Sequence, residues 1–296
     1  MTSLTIRHVT TYRYRHPVAF GEHRMMLRPR DSHDQKVVDA TLGITPQPSS
    51  LRFAQDAFGN HVAIAHFTER ASELSFESVV SLEHSPADSA DLDLAEEART
   101  YPVRYDTGAM PELAPCLQPL HPDPDDKVGA WARQFLDGGD TLDLLTRLSQ
   151  GIHRGFRYRR REAKGIQPPL ETLRLGHGSC RDFALLMIEA AKALGIAARF
   201  ASGYLAVPFD ASSEPSGGDA VESAHGATHA WAQVYLPGAG WVDFDPTSGS
   251  VGKTALVTVA VVPDPYDATP LHGTFIGSAS DPLGMEVRVS VTAGSA

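Results

Sequence analysis

Three residue types that can act on one another stand far apart in the chain: a cysteine at 180, a histidine at 229 and an aspartate at 245. Cys180 follows Gly176-His177-Gly178-Ser179 and opens a run of strong helix formers that ends at Leu194-Gly195. It therefore falls in the first turn of a predicted helix, with Gly195 placed as a left-handed C-cap. Unpaired backbone N–H groups and the helix dipole at such a start favour an anion. They favour the thiolate, which is the nucleophilic form of cysteine, and they can hold the oxyanion made once sulfur attacks a carbonyl. Taken alone, a single cysteine is more often a small core residue than a nucleophile.

A thiolate enzyme also needs an imidazole that takes a proton and later returns it, oriented by a carboxylate or amide. The segment from His229 to Asp245 reads as a β-hairpin turning over Pro237-Gly238-Ala239-Gly240. Strand side chains alternate, so His229, Trp231, Gln233 and Tyr235 share one face, and Trp241, Asp243 and Asp245 share a face on the returning strand. If Tyr235 pairs with Trp241, Trp231 stands opposite Asp245. His229 is then the diagonal neighbour of Asp245, about 7–8 Å away between Cα atoms and within side-chain reach. A one-residue slip would put the two on opposite faces. Asp243 lies on the same face and is the rival carboxylate.

The elements that must position these groups come after a different kind of chain. Leu4 to Tyr14, Val37 to Ile44, Val62 to Phe67 and Leu74 to Leu82 are rich in β-branched and aromatic residues and separated by turn signals, which predicts an N-terminal β-sandwich over residues 1–84. Residues 85–122 are polar, acidic and proline-broken and read as a linker, in which Cys116 has no evident base or helix start beside it. Residues 123–296 then carry the catalytic core with C-terminal strands. Its expected helices follow Asp123-Pro124-Asp125-Asp126, cover Thr141 to Phe156 and begin at Cys180; its expected strands are Arg199 to Leu205, the hairpin, Ala255 to Val262 and Met285 to Val291. The expected class is α+β.

Composition limits the alternatives. Among 296 residues, 42% are hydrophobic and 21% charged, as in globular proteins. A formal net charge of −10 argues against nucleic acid as a partner. No stretch approaches the ~20 apolar residues of a membrane span. The opening MTSLTIRHVTTYRYRH lacks the apolar core of a secretory signal. Two cysteines cannot build a disulfide framework, so a reducing cytoplasm is expected.

The segment GIQPPLETLRLGHGSCRDFALLMIEAAKALGIAARFASGYL, followed by ATHAWAQVYLPGAGWVDFDPTSG, closely resembles the core of bacterial transglutaminase-like proteins, which are described as cysteine proteases. RHVTTYRYRHPVAFGEHRMMLRPRD and DAFGNHV resemble the N-terminal β domain that accompanies this core in bacteria. The resemblance implies a papain-like core with Cys180 as nucleophile, His229 as general base and Asp245 as the orienting carboxylate. It implies acyl transfer at an amide of a peptide or protein substrate, through a thioester. Hydrolysis leads; transfer to an amine, and a module that binds peptides without turnover, remain as alternatives. No cofactor and no metal are implied. Two positions depart from the family, which commonly has Glu where Gln233 stands and Asn where Ser248 stands; neither removes a member of the triad.

Several features have plainer readings. Asp182 in a first helical turn suits a cap, and His177 a loop. Trp231 and Trp241 suit a core. The basic run Phe156 to Lys164 is either a solvated face or a site for a carboxylate-bearing substrate. His225 and His229 have an H-x₃-H spacing that Cys180 or His177 could extend into a zinc set. In an extended segment those two imidazoles would stand about 13 Å apart, which disfavours the metal. The loop Asp210 to Ala227, rich in Gly and Ser, could close over the site.

Overall fold

A computed structural model describes residues 2–85, 92–159, 165–205, 228–252 and 255–293. The chain begins with β1 (Thr2–Met25), β2 (Gln35–Thr45), β3 (Ser50–Gln55), β4 (His61–His66) and β5 (Arg70–His84). Helices α1 (Glu96–Arg99), α2 (Met110–Leu117), α3 (Lys127–Arg133) and α4 (Thr141–Gly155) follow, then β6 (Arg157–Tyr158), α5 (Pro169–Leu175), β7 (His177–Gly178) and α6 (Cys180–Ala193). The remainder is β8 (Ala198–Leu205), β9 (Thr228–Leu236), β10 (Gly240–Asp245), β11 (Ser250–Val251), β12 (Leu256–Val262), β13 (Leu271–Ile276) and β14 (Pro282–Ala293). The fold is α+β. No described helix is long and apolar enough to cross a membrane.

The core is a five-stranded antiparallel sheet in the order β11-β10-β9-β8-β12. Period-two alternation divides its faces. Ala230, Ala232 and Val234 of β9 share a buried cluster with Phe200, Val242 and Phe244 and with Phe183, Leu186, Met187 and Ala190 of α6. The apolar face is thus covered by the helix that Cys180 begins. His229, Trp231, Gln233 and Tyr235 alternate with those alanines and valines, on the other face.

The N-terminal β region is one hydrogen-bonded sheet of seven strands rather than two separate ones. Its backbone is β1, which pairs with β5 and β14 along its first half and, past irregularities near Arg13 and Phe20, with β13 and β4. Here the structure departs from the expected boundary. β14, which covers the Met285 to Val291 strand expected to finish the core, completes this sheet instead, together with β13, which the sequence did not mark. Val289 and Val291 of β14 bury with Leu4 and Ile6 of β1 against Tyr204, Val257 and Val259 of the core sheet. β1 has two edges, and only the returning tail occupies the second. β3 was not expected. It is an edge strand with Phe53 exposed, so its sequence lacks the apolar face that marks a buried strand.

The N-terminal region also covers an edge of the core. β12 ends the core sheet, and its outer backbone groups are met by two side-chain amides. Gln35 donates to the Thr258 carbonyl at 2.8 Å and accepts from the Thr258 N–H at 2.9 Å. Asn60 makes the same pair of bonds with Val261, both at 2.9 Å. Each amide offers one donor and one acceptor, as a neighbouring strand would.

The segment read as a linker is partly ordered helix. α1 and α2 lie within it, and Cys116 and Leu113 of α2 are buried against Ala197. Pro111 stands in the first turn of α2, where a missing N–H costs nothing, so proline there did not exclude a helix. The helices α3, α4 and α6 stand where their caps predicted. Asp123 accepts from the Lys127 and Val128 N–H groups, and Asp140 from those of Leu142 and Asp143. Gly195 has a left-handed φ of 73°. Residues 86–91, residues 160–164 of the basic run and the loop Asp210 to Ala227 with His225 lie outside the described residues.

Candidate active site

Three local devices hold Cys180 at the start of α6. Gly176 caps α5 with a left-handed φ of 66°. Gly178 lets the chain pass close to the helix, since a Cβ there would lie 2.8 Å from that of Asp182. Ser179 is the N-cap, and Asp182 accepts from its N–H at 2.8 Å and its hydroxyl at 2.9 Å. Asp182 is therefore a capping residue, as its place in the first turn suggested. Gln167 had not been singled out. Its N–H donates to the other Asp182 oxygen at 2.7 Å, and its amide donates to the His177 carbonyl at 2.9 Å and to Thr172 Oγ1 at 3.0 Å. It clamps the segment that delivers the thiol. A polar residue just before two prolines gave no periodic signal of that role.

The hairpin adopts the register that pairs Tyr235 with Trp241, continuing to Ala232 with Phe244. His229 Nε2 lies 3.0 Å from Asp245 Oδ2. Asp245 is almost wholly buried. It also accepts from the Ser248 hydroxyl at 2.7 Å and the Thr247 N–H at 2.9 Å. The ring of His229 stacks on Trp231 at 6.2 Å between centroids. With Nε2 engaged by Asp245, Nδ1 is the nitrogen left to face Cys180, whose thiol acts on the imidazole.

These contacts set the charges. Burial alone would push the His229 imidazolium down; hydrogen bonds to Asp245 and Cys180, together with their charges, outweigh it and raise its pKa from 6.5 to about 10. Burial likewise opposes ionisation of Asp245, but His229, Ser248 and Thr247 hold its carboxyl below the ordinary range. Thus imidazole and carboxylate are directly bonded, and the thiol that acts on the imidazole stands at a helix N-terminus.

Asp243 is occupied elsewhere. Its Oδ1 accepts from Trp231 Nε1 at 2.7 Å and from Gln233 Nε2 at 2.9 Å. Gln233 Oε1 in turn accepts from Arg199 Nε at 2.9 Å. Gln233 therefore donates to a carboxylate and accepts from a guanidinium at once, which a Glu could not do. Ser248, the other departure from the family, supplies a hydroxyl directly to Asp245. Sequence reading noted both positions without finding either contact, because each partner depends on side-chain direction across the sheet.

Beside the site, β6 and β7 form a short parallel ribbon, with the Arg159 N–H on the Gly178 carbonyl at 2.8 Å. Arg154, Arg157, Arg159 and His177 line an open cleft of about 520 Å³ there, while Tyr158 packs edge-on to Phe183. Both cysteines are free. Among the described residues no group of three or more His, Cys, Asp or Glu could hold a metal ion.

Comparison with known proteins accounts for both halves of the chain. Residues 4–83 match the bacterial transglutaminase-like N-terminal region, and residues 129–246 match the transglutaminase-like superfamily. The uncharacterized protein Rv2569c of Mycobacterium tuberculosis is 30% identical over 297 residues, covering 97% of this chain and 91% of that one. The chain belongs to the transglutaminase-like superfamily. A second relative, the uncharacterized protein ML0607 of Mycobacterium leprae, is 24% identical over 98% of this chain and 99% of its own. Among solved structures, a candidate cysteine protease from Cytophaga hutchinsonii superposes with a TM-score of 0.71 at 21% identity, covering 98% of this chain and 90% of that one. At that identity the likeness establishes the shared fold of this transglutaminase-like chain.

Proposed function

We propose that this protein is a cysteine-dependent amide hydrolase acting on a peptide or protein, with Cys180 as nucleophile, His229 as acid and base, and Asp245 as the orienting carboxylate. The observation that carries this reading is the His229 imidazole bonded to a buried carboxylate at 3.0 Å, with Cys180 at a helix N-terminus acting on the same ring. A module that only bound peptides would have no use for an imidazole held by a buried carboxylate beside a thiol.

In the forward step, sulfur attacks the amide carbonyl carbon and the electron pair moves to oxygen. The Cys180 backbone N–H, at the first helical position, can donate to that oxyanion. As the C–N bond breaks, the His229 imidazolium gives its proton to the departing amine, leaving a thioester on Cys180. Water then attacks the thioester, giving a proton to His229, and the C–S bond breaks to release the acid. Asp245 stabilises the imidazolium in the first half and keeps Nε2 protonated in the second. A reducing cytoplasm would keep the thiol available.

The test is iodoacetamide labelling of Cys180 against pH, read by mass spectrometry. Cys116 is the internal control, since burial pushes its thiol up. Fast labelling at pH 6 that disappears in His229→Ala, followed by turnover of peptide amides that disappears in Cys180→Ala, is the expected result. Labelling of Cys180 that is slow at pH 6 and indifferent to His229 would overturn the reading.

A further inference from the structure

On the same sheet face as His229 but at its other end, Arg199 is a cation with too few partners. Its Nε bonds Gln233, and its guanidinium plane lies 3.8 Å from the centre of the Trp241 ring. No carboxylate of the described residues lies within ion-pair distance of it. Asp243 acts on it only at longer range and already accepts from Trp231 and Gln233. Arg30 of the N-terminal region adds a second positive charge nearby. Desolvation works against such a guanidinium unless an anion meets it.

The space beside Arg199 is a cavity of about 380 Å³, within the range of small-molecule sites. Phe58, Leu113, Tyr235 and Trp241 give it flat apolar walls, and Glu112 of α2 is its exposed acidic residue. None of Cys180, His229 or Asp245 lines it. Arg199 still has two terminal nitrogens, a fork that matches a carboxylate in its plane.

We propose that this cavity binds a small monocarboxylate with an aromatic or branched aliphatic body, its carboxylate on the Arg199 fork and its body between Trp241, Tyr235 and Leu113. The ligand supplies the anion that the fold leaves out, and the apolar walls select its body. Glu112 disfavours ligands with a second negative charge. This site is separate from the proposed hydrolase chemistry and stands whether or not Cys180 is a nucleophile.

The experiment is calorimetric titration of the full chain with phenylacetate and with 2-phenylethanol, which has the same ring and no charge. Saturable phenylacetate binding, about tenfold or more tighter than the alcohol, is expected. Arg199→Gln should remove that difference, and Leu113→Trp, which fills the cavity, should abolish binding of both. The Cys180→Ala variant should bind as the wild type does. Absence of saturation by ~10 mM phenylacetate, equal affinity for the alcohol, or binding unaffected by Leu113→Trp overturns the proposal. If Arg199→Gln does not fold, the acid-against-alcohol comparison and Leu113→Trp still decide.

Discussion

Asp243 and Asp245 sit two residues apart on one strand and face the same way, Asp243 partly and Asp245 almost wholly buried, yet they are driven in opposite directions. Asp245 meets the charged His229 at 3.0 Å and is held below the ordinary carboxylate range. Asp243 meets only neutral donors, Trp231 and Gln233, with Arg199 further off and Asp34 repelling it; burial raises it to about 6. Burial opposes both charges. What separates them is a cation in direct contact, and that depends on which residue β9 presents opposite each one.

The largest break in this comparison is Asp245→Ala. It removes the carboxylate that bonds His229, and Cys180 labelling at pH 6 should fall roughly 10- to 100-fold. Asp245→Asn, whose amide oxygen can still accept from Nε2, should fall less. The same variants report on stability. His229 binds its proton more tightly folded (about 10) than unfolded (6.5), so its contribution is complete below 6.5 and is lost as pH rises through about 10. Asp245 is shifted the other way, so its contribution is present above about 3.9 and is lost as pH falls further. Urea denaturation of the wild type should show both losses; Asp245→Ala should lose the acid one and keep only the part of the alkaline one that Cys180 supplies.

Asp243 gives a slope of the opposite sign. Its carboxyl holds a proton more tightly folded than unfolded, so it costs stability as pH rises from the ordinary range through about 6. Asp243→Asn keeps an acceptor for Trp231 and Gln233, so midpoints above pH 7 should rise by the equivalent of about 1–2 kcal/mol, while labelling of Cys180 stays near wild type. Labelling that collapses in Asp243→Asn would instead give Asp243 a share in His229.

Two smaller effects sharpen the contrast. Ser248→Ala removes one donor from Asp245 and should cost about 1 kcal/mol, detected as a lower urea midpoint at pH 7. Gln233→Glu replaces a donor to Asp243 by a second carboxylate. Asp243 should then titrate above pH 6, although Arg199 offsets part of the charge, so overall stability should change little. Carboxyl NMR of the two variants reads the shift directly.

The sequence carried most of the site because its parts obey short-range rules. A Gly-His-Gly-Ser-Cys run before strong helix formers places a thiol on a helix start, and a hairpin with a three-residue turn fixes which side chains align. The cap at Asp182 follows from those rules, and they place His229, Asp243 and Asp245 on one sheet face. The linker helices, Cys116 in α2 and the edge strand β3 were obscured because proline and exposed residues mask periodicity.

Tertiary structure decided the rest. The return of β13 and β14 to β1, the amides of Gln35 and Asn60 on β12, and the choice between Asp243 and Asp245 all join residues distant in the chain. Hydrophobic alternation states that a strand has a buried face; it does not name the strand beside it. That choice belongs to whichever edges remain unpaired once the whole chain has collapsed.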